Sequence, residues 1–232
     1  MEIRIVHLYP DLLNLYGDKG NICALSKRCS WRDIDVFVHE VTGDSLPDLD
    51  CCDILFIGGG GDHEQELVLE KLLPVKDKIK EYLELNGTVL ACCGGFSLLG
   101  ELGVLNIVTK RARERASGNV VIECEINGEK VLVSGFENHN YITDIGDLKP
   151  LGNVLEGFGN NGMGFEGAVY KNVIATNLHG PLLPKNPALC DLIIKKTLDK
   201  KYNTDVKLEL LCDNFENIAN KNIIRTVLGE NK

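Results

Sequence analysis

Residues 89–100, VLACCGGFSLLG, join a strand pattern to a helix pattern through one tight turn. The apolar run Thr88–Cys92 is typical of a strand that is buried on both faces of a parallel sheet. A helical pattern begins at Gly95, so Cys93 occupies the turn between the two elements. This is the layout of a nucleophile elbow, in which a strained backbone holds a reactive side chain above the sheet. We therefore expect an α/β fold with a candidate nucleophile at the end of a central strand.

Strand and helix patterns alternate on both sides of this segment, and Asn127-Gly128 predicts a hairpin. Predicted strands cover residues 3–8, 34–41, 53–57, 88–92, 120–126, 130–133 and 173–178; predicted helices cover 20–29, 95–102 and 187–198, with another from Asp62 to the Asn86-Gly87 pair that Pro74 kinks or divides. Strands that alternate with helices predict a three-layer α/β domain with a mostly parallel central sheet. We expect a single domain over residues 1–232, with a C-terminal helical extension that starts near residue 186.

The composition restricts the class of protein. With 25 Lys and Arg against 34 Asp and Glu, the formal net charge is −9. This balance argues against nucleic acid as a partner, because phosphate neutralisation needs concentrated basic residues. No apolar run reaches the ~18–20 residues that a membrane span needs, and the N-terminus has a strand pattern rather than that of a signal peptide. We therefore expect a cytoplasmic globular protein without a membrane span.

Nine cysteines and five histidines raise the question of a metal site or of disulfides. The spacing contains neither a Cys-x-x-Cys nor a His-x-x-x-His motif. An odd number of cysteines without a secretion signal is typical of a reducing compartment. We therefore expect no metal site and no cofactor in this chain, and we expect most of the thiols to act as small core residues.

Two adjacent cysteines compete for the role of nucleophile. Cys92 belongs to the predicted strand and is expected to point into a helix layer, whereas Cys93 lies at the turn. The following helix directs its N-terminal dipole and its free N–H groups at the sulfur of Cys93, which favours the thiolate. Gly94 and Gly95 are needed there, because a Cβ would collide with neighbouring backbone. We choose Cys93; the alternative is a glycine-rich turn with buried structural thiols.

A second glycine-rich loop, Gly58–Gly61, also follows a predicted strand and precedes a predicted helix. Open α/β sheets bind their ligands at the carboxyl ends of their strands, and the N–H groups of such a loop can bind a phosphate or an oxyanion. A nucleotide site lacks both the G-x-G-x-x-G spacing and a Walker Lys-Ser/Thr pair. The loop therefore predicts an oxyanion hole made by Gly59 or Gly60 together with the N–H of Gly94.

A catalytic cysteine also needs a base, and His179 is the first choice among the histidines. His179 follows a late apolar strand and should reach the same sheet edge as Cys93. His139 is its competitor. The other histidines lie inside predicted strands or start a helix, and they are His7, His39 and His63.

These segments together resemble the class I glutamine amidotransferases, in the branch that includes cobyric acid synthase. Within that branch the chain is similar to the GatD family, the glutaminase subunits of lipid II isoglutaminyl synthase. The resemblance covers nearly the whole chain. Besides the cysteine elbow it rests on residues 13–21 (LNLYGDKGN), 58–65 (GGGGDHEQ), 135–139 (GFENH) and 178–181 (LHGP).

The resemblance implies a glutaminase reaction. The Cys93 thiolate would attack the side-chain carboxamide of L-glutamine. His179 would protonate the departing ammonia and then activate water against the glutamyl thioester. The N–H groups of Gly60 and Gly94 would stabilise the oxyanion.

The resemblance also implies a substrate-binding residue. Arg115 matches an arginine with which the GatD family holds glutamine, since a guanidinium can bind an α-carboxylate through two hydrogen bonds. The alternative is that the charged run at residues 110–115 is a solvated surface. The neighbouring segment Glu137–His139 is expected near the pocket or the partner.

Two positions depart from the pattern of the class. Ala91 replaces the first glycine of the usual Gly-x-Cys-x-Gly elbow, and Pro181 replaces the acid that usually lies two residues beyond the catalytic histidine. The chain therefore lacks an obvious third triad member. We expect either a Cys–His dyad or an acid from elsewhere, including the partner protein.

The chain has no ATP-binding loop, so it is not expected to activate a carboxylate alone. The resemblance implies a heterodimer with a MurT-like Mur ligase subunit. That partner would use ATP and Mg²⁺ to activate the D-glutamate α-carboxylate of lipid II, in peptidoglycan biosynthesis. Two alternatives remain open at this point: an amidotransferase for another synthetase, such as one that amidates a cobyrinate-like substrate, and a non-catalytic binding module.

Overall fold

The computed structural model describes residues 1–229 of the 232-residue chain. Within this range the strands are β1 (Glu2–Leu8), β2 (Asp35–Val41), β3 (Ile54–Ile57), β4 (Thr88–Cys92), β5 (Val108–Ile126), β6 (Glu129–Asp144), β7 (Gly152–Glu156), β8 (Phe165–Glu166), β9 (Ala168–Tyr170) and β10 (Val173–Thr176). The α-helices are α1 (Lys19–Ser30), α2 (Asp62–Leu72), α3 (Lys76–Glu84), α4 (Gly94–Glu101), α5 (Pro187–Tyr202) and α6 (Asn214–Leu228).

The central sheet has the strand order β2-β1-β3-β4-β10-β9. All its neighbouring strands pair in parallel except β9, which is antiparallel to β10. Every residue of β3, β4 and β10 is buried, as their continuous apolar patterns predict. Because β1, β3, β4 and β10 are parallel, their carboxyl ends meet at one edge of the sheet.

Alternate residues of the central strands face two separate hydrophobic clusters. Ile54 and Phe56 of β3 face a cluster formed with α1, α5 and strands of a second sheet. Leu55 and Ile57 face a cluster formed with α2, α3 and α4. The central sheet is thus covered on both faces, which confirms the expected three-layer α/β architecture with a mostly parallel sheet.

The second sheet is antiparallel, with the order β6-β5-β7-β8. Its main feature is a hairpin of 19-residue β5 and 16-residue β6, far longer than the predicted strands at 120–126 and 130–133. The extra length of β5 covers residues 108–119, which are rich in charge and largely exposed. These residues show no hydrophobic alternation that would predict a strand. They form one because they pair with β6. The short strands β7 and β8 were missed as well.

Pro74 divides the helical region between the glycine loop and β4. Helix α2 ends at Leu72, a 3-10 turn covers Leu73–Val75, and α3 starts at Lys76. The predicted C-terminal helical extension contains α5 and α6, while residues 230–232 lie outside the described residues. Among residues 1–229 no helix combines the length and the apolar character that a bilayer crossing requires.

A buried arginine fastens the C-terminal helices to the start of the chain. Arg28 of α1 binds both oxygens of Asp191 on α5, each at 2.7 Å. Its guanidinium also binds both oxygens of Asp213, which directly precedes α6. Paired bonds of this kind between a guanidinium and a carboxylate are strong and directional.

We expect Arg28→Met to lower the free energy of unfolding by roughly 1.5–3 kcal/mol, because Asp213 loses its guanidinium partner while Asp191 keeps only Arg32. Urea unfolding followed by circular dichroism measures this loss. The matched control is Lys130→Met, which removes an exposed ion pair with Glu123 and should change stability little. Equal midpoints for the two variants would show that the Arg28 cluster does not fasten the helices.

Candidate active site

Four connections meet at the carboxyl edge of the central sheet. The loop after β1 leads through Tyr16 to the start of α1, and Gly58–Gly61 joins β3 to α2. Cys93 alone separates β4 from α4, and His179 follows β10 by three residues. The topology therefore brings the predicted nucleophile, base and glycine loop to one edge.

Cys93 has the backbone geometry of a sharp strand-to-helix turn. Its φ of 51° and ψ of −109° lie in a region that L-residues rarely adopt. Its N–H donates to the carbonyl oxygen of Thr176 at 2.7 Å, which ties the turn to β10. A Cβ on Gly95 would lie 2.5 Å from the carbonyl oxygen of Ile57. Only glycine permits this close approach of α4 to β3, as the sequence analysis expected.

The two adjacent cysteines point to different sides of the sheet. Cys92 is completely buried in the cluster that contains α1 and α5. Cys93 is partly exposed and lies among the loops at the sheet edge. The geometry agrees with the choice of Cys93 as the accessible thiol.

The surroundings of Cys93 do not favour the thiolate in the unliganded chain. Burial, together with the neighbouring carboxyl of Asp18, raises the pKa of Cys93 to about 12. The N–H of Gly94 and the charge of Arg115 act in the opposite direction, to lower this pKa. The N-terminus of α4 thus lowers the pKa of Cys93, as expected, but burial raises this pKa by more.

The glycine loop lies directly against the cysteine. A Cβ on Gly59 would lie 3.1 Å from the Cβ of Cys93. The N–H of Gly59 donates to the Oδ2 of Asp18 at 2.6 Å, so this group is already engaged. The side chain of Gln65 also binds the loop, because its amide donates to the carbonyl oxygen of Gly60 at 2.8 Å. Of the two glycines considered for the oxyanion hole, Gly60 therefore remains the candidate, together with Gly94.

His179 is held by main-chain bonds to the second sheet. Its N–H donates to the carbonyl oxygen of Phe136 at 3.0 Å, and the N–H of Phe136 donates back at 3.2 Å. The imidazole stacks on the ring of Tyr16 with 4.3 Å between ring centroids and 14° between planes. The side chain is 1% exposed, so Tyr16 and Phe136 enclose it.

The imidazole of His179 is uncharged near neutral pH. Burial lowers its pKa to about 4, with His139 and Lys185 acting in the same direction and Glu137 against them. Within residues 1–229, neither ring nitrogen has a hydrogen-bond partner. Cys93 and His179 therefore stand at the ends of neighbouring strands without a direct hydrogen bond, and no acid of the described chain orients the ring.

Glu137 and His139 form a second layer beside His179. The carboxylate of Glu137 accepts the N–H groups of Phe158 and Gly159 at 2.7 and 2.9 Å. The Nε2 of His139 lies 3.4 Å from the same carboxylate. His139 is 3% exposed; its Nδ1 lies 3.1 Å from the carbonyl oxygen of Tyr141, and its Nε2, like the ring nitrogens of His179, makes no hydrogen bond within residues 1–229.

Arg115 reaches the site through a bulge in β5. The register of the β5–β6 pairing shifts between Arg111 and Ala116, which frees Arg115 from the regular ladder. Its Nε donates to the side-chain oxygen of Asn138, whose amide donates in turn to the hydroxyl of Tyr16. Since Tyr16 stacks on His179, the exposed guanidinium of Arg115 is linked to the candidate base through Asn138 and Tyr16.

Two residues at this edge were missed by the reasoning from sequence. Asp18 and Tyr16 lie in the segment 13–21, whose resemblance to the family gives neither residue a role. The available signal was their position in the loop after β1, where open α/β sheets bind ligands. Within residues 1–229, the side chains of His, Cys, Asp and Glu form no group of three that could hold a metal ion.

Comparisons with known proteins agree with this arrangement. A family model, the CobB/CobQ-like glutamine amidotransferase domain, matches residues 4–187. The chain is 40% identical over 213 residues to the GatD subunit of lipid II isoglutaminyl synthase (glutamine-hydrolyzing) from Staphylococcus aureus, with 86% of each protein covered. It is 38% identical over 222 residues to the subunit of the same name from Streptococcus pneumoniae, with 89% of this chain and 85% of that protein covered.

A solved structure shows the same fold at low sequence identity. PurLQS from Thermotoga maritima matches with a TM-score of 0.58 and 16% identity, over 88% of this chain and 99% of that chain. The sequence identity to the two GatD subunits, the family model and the shared fold lead to one assignment. The chain belongs to the GatD family of CobB/CobQ-like glutamine amidotransferases.

Proposed function

We propose that this chain is the glutaminase subunit of a lipid II isoglutaminyl synthase, which hydrolyses L-glutamine and delivers ammonia to a ligase. The observation that carries the proposal is the position of Cys93. Cys93 is partly exposed and lies at a positive-φ turn, against the glycine loop. His179, which is uncharged near neutral pH, follows the neighbouring strand β10. Such a constellation suits attack by a thiol on a carboxamide.

The reaction would proceed in two halves. The sulfur of Cys93 bonds to the carboxamide carbon of glutamine while the thiol proton passes to His179. The oxyanion forms beside the N–H groups of Gly60 and Gly94, and each such donor is typically worth about 10²–10³ in rate. Collapse breaks the carbon–nitrogen bond, and ammonia leaves with the proton from His179. Water then loses a proton to His179 and attacks the thioester, which releases glutamate and restores the thiol.

The unliganded chain is a poor starting point for this proton transfer. The pKa of Cys93 is raised to about 12 and the pKa of His179 is lowered to about 4, so the thiol holds its proton firmly. Glutamine and an orienting acid must change both environments. Both ring nitrogens of His179 are buried without a hydrogen-bond partner in the described part of the chain, so a carboxylate from a partner would reach them only after Tyr16 or Phe136 moves.

The ammonia acceptor would be a MurT-like Mur ligase in a cytoplasmic heterodimer. We expect that subunit to bind ATP and Mg²⁺ and to activate the D-glutamate α-carboxylate of lipid II. The names of the two GatD relatives support the part of this proposal that concerns the chain itself, because each describes a glutamine-hydrolysing subunit of a lipid II isoglutaminyl synthase.

Glutaminase activity of the complex isolated from native cytoplasm should vanish in Cys93→Ala, because the variant cannot form a thioester. The assay measures ammonia release, and mass spectrometry locates a glutamine-analogue electrophile on Cys93. The matched control is Cys92→Ala, whose thiol is fully buried and whose loss should leave activity in place.

Two outcomes would contradict the proposal. One is labelling of Cys92, or full activity in Cys93→Ala. The other is co-purification with a corrin-pathway synthetase in place of a Mur-ligase-like protein, which would assign the ammonia to a different product.

The carbon resonances of the His179 ring should titrate near pH 4 in the isolated chain, since burial disfavours the imidazolium. Tyr16→Ala removes the stacked ring and admits water, so it should move this midpoint upward toward the ordinary value of about 6.5. NMR between pH 3.5 and 8 measures the titration midpoint of His179 in the wild-type chain and in Tyr16→Ala. Tyr16→Phe is the control, because it keeps the stacked ring; an unshifted midpoint in Tyr16→Ala would exclude Tyr16 as the cause of burial.

Arg115→Ala should raise the KM for glutamine about tenfold or more, as expected for loss of a charge-assisted pair worth roughly 1.5–3 kcal/mol. Steady-state glutaminase kinetics of the complex measure it. Arg113→Ala is the matched control, because Arg113 lies in the same charged run and is exposed. If both variants shift KM equally, Arg115 has no specific role in binding the α-carboxylate.

A further inference from the structure

Asp18 is a buried carboxyl group that no step of the proposed reaction uses. It directly precedes α1, at a position where an aspartate usually caps the helix, yet its side chain makes no capping bond. Asn14 serves the first turn instead, by accepting the N–H of Lys19 at 2.9 Å. The carboxyl of Asp18 is 0% exposed and turns toward the glycine loop.

The two oxygens of this carboxyl have different surroundings. Oδ2 accepts the N–H of Gly59 at 2.6 Å. Oδ1 is buried without a hydrogen-bond partner in the part of the chain that the structure describes. A buried carboxyl oxygen without a partner is costly unless the site uses it.

Gly59 lies close to both this carboxyl and the cysteine. A Cβ built on Gly59 would lie 3.5 Å from the Oδ2 of Asp18 and 3.1 Å from the Cβ of Cys93. The same Oδ2 would lie 3.1 Å from a Cβ on Gly58. The carboxyl, the glycine loop and the cysteine therefore form one packed unit, in which a side chain on the loop has no room.

Few charges are available to balance a carboxylate here. Lys19, the next residue, forms its ion pair with Glu40 at 3.0 Å. The charge of Arg115 on β5 and the N–H of Gly94 on α4 both act on Cys93, whose pKa they lower. His179 is uncharged near neutral pH because its pKa is lowered.

We propose that Asp18 is a positioning residue, which holds the glycine loop against Cys93 and whose negative charge adds to burial in opposing ionisation of that cysteine while the site is empty. This inference rests on the proposed function of Cys93 as the nucleophile. Two acidic groups that are buried close together, here Asp18 and Cys93, do not readily carry negative charge at the same time. Glutamine, or a partner that neutralises Asp18, would release the thiol.

The surroundings of Asp18 give the proposal a distinct pH dependence. Burial raises the pKa of Asp18 to about 7, although the N–H of Gly59 acts to lower it. Below that pH the carboxyl is neutral and does not oppose ionisation of Cys93. Above it the carboxylate opposes ionisation, so the thiolate fraction rises less than it would beside a neutral group. The same carboxyl also raises the pKa of Cys92, but Cys92 is completely buried in the core.

The test is the rate at which iodoacetamide, an uncharged reagent, alkylates Cys93 between pH 5 and 9, followed by peptide mass spectrometry. Asp18→Asn keeps an oxygen acceptor for the N–H of Gly59 and removes the charge. The ratio of the variant rate to the wild-type rate should be near one below pH 6. It should rise to about tenfold above pH 8, since one pKa unit is a factor of ten.

The wild-type profile provides a second measurement that needs no variant. Its logarithmic rate should bend near pH 7, where Asp18 ionises, and a straight line from pH 5 to 9 would overturn the proposal. A ratio of one at every pH, in an Asp18→Asn protein that keeps its circular dichroism spectrum, would overturn it too. Asp33→Asn is the matched control, because Asp33 is exposed after the C-terminal end of α1.

Glutaminase kinetics of the complex test the positioning role separately. Asp18→Ala removes the acceptor for Gly59 and should lower kcat, while Asp18→Asn should restore most of it with KM little changed. Equal kcat in the two variants would contradict positioning of the loop. If the wild-type complex releases no ammonia, the proposed function fails, whereas the alkylation profile still decides the effect of Asp18 on Cys93.

Discussion

The close approach of two loops at neighbouring strand ends is the constraint on which this site depends. β3 and β4 run in parallel, and Gly95 brings α4 against the carbonyl oxygen of Ile57. Gly59 brings the other loop against the Cβ of Cys93. Because neither loop has side chains at these contacts, main-chain N–H groups can surround the sulfur. Larger residues at either contact would push the loops apart and remove the donors together.

The same tight packing explains the low reactivity expected of the empty site. A helix N-terminus favours a thiolate, but desolvation acts on the whole group and wins when little water reaches it. Here burial raises the pKa of Cys93 and lowers that of His179. The site therefore holds the candidate nucleophile and the candidate base in uncharged form. In the proposed reaction, substrate and partner would supply the charges that change this balance.

The sequence predicts those parts of the fold that carry their own signal. Buried strands such as β3 and β4 are continuous apolar runs, and the glycines at 94 and 95 mark the turn that holds Cys93. The long β5–β6 hairpin could not be predicted, because its outer half is charged and is stabilised by pairing with a distant segment. The contacts of Asp18 likewise depend on three loops that meet only in the folded chain. Local patterns predict elements and strand ends, whereas long-range proximity decides which side chains share a pocket.

The main-chain bonds between Phe136 and His179 have a consequence for how this family can change. They fix the backbone at position 179 through atoms that every residue possesses. The fold therefore does not require an imidazole there, and a single codon change at this proposed base would leave the scaffold and its outer surface in place. Lineages that retain such a chain only for assembly would carry a pseudoenzyme, recognisable by an intact β6 beside an altered residue 179.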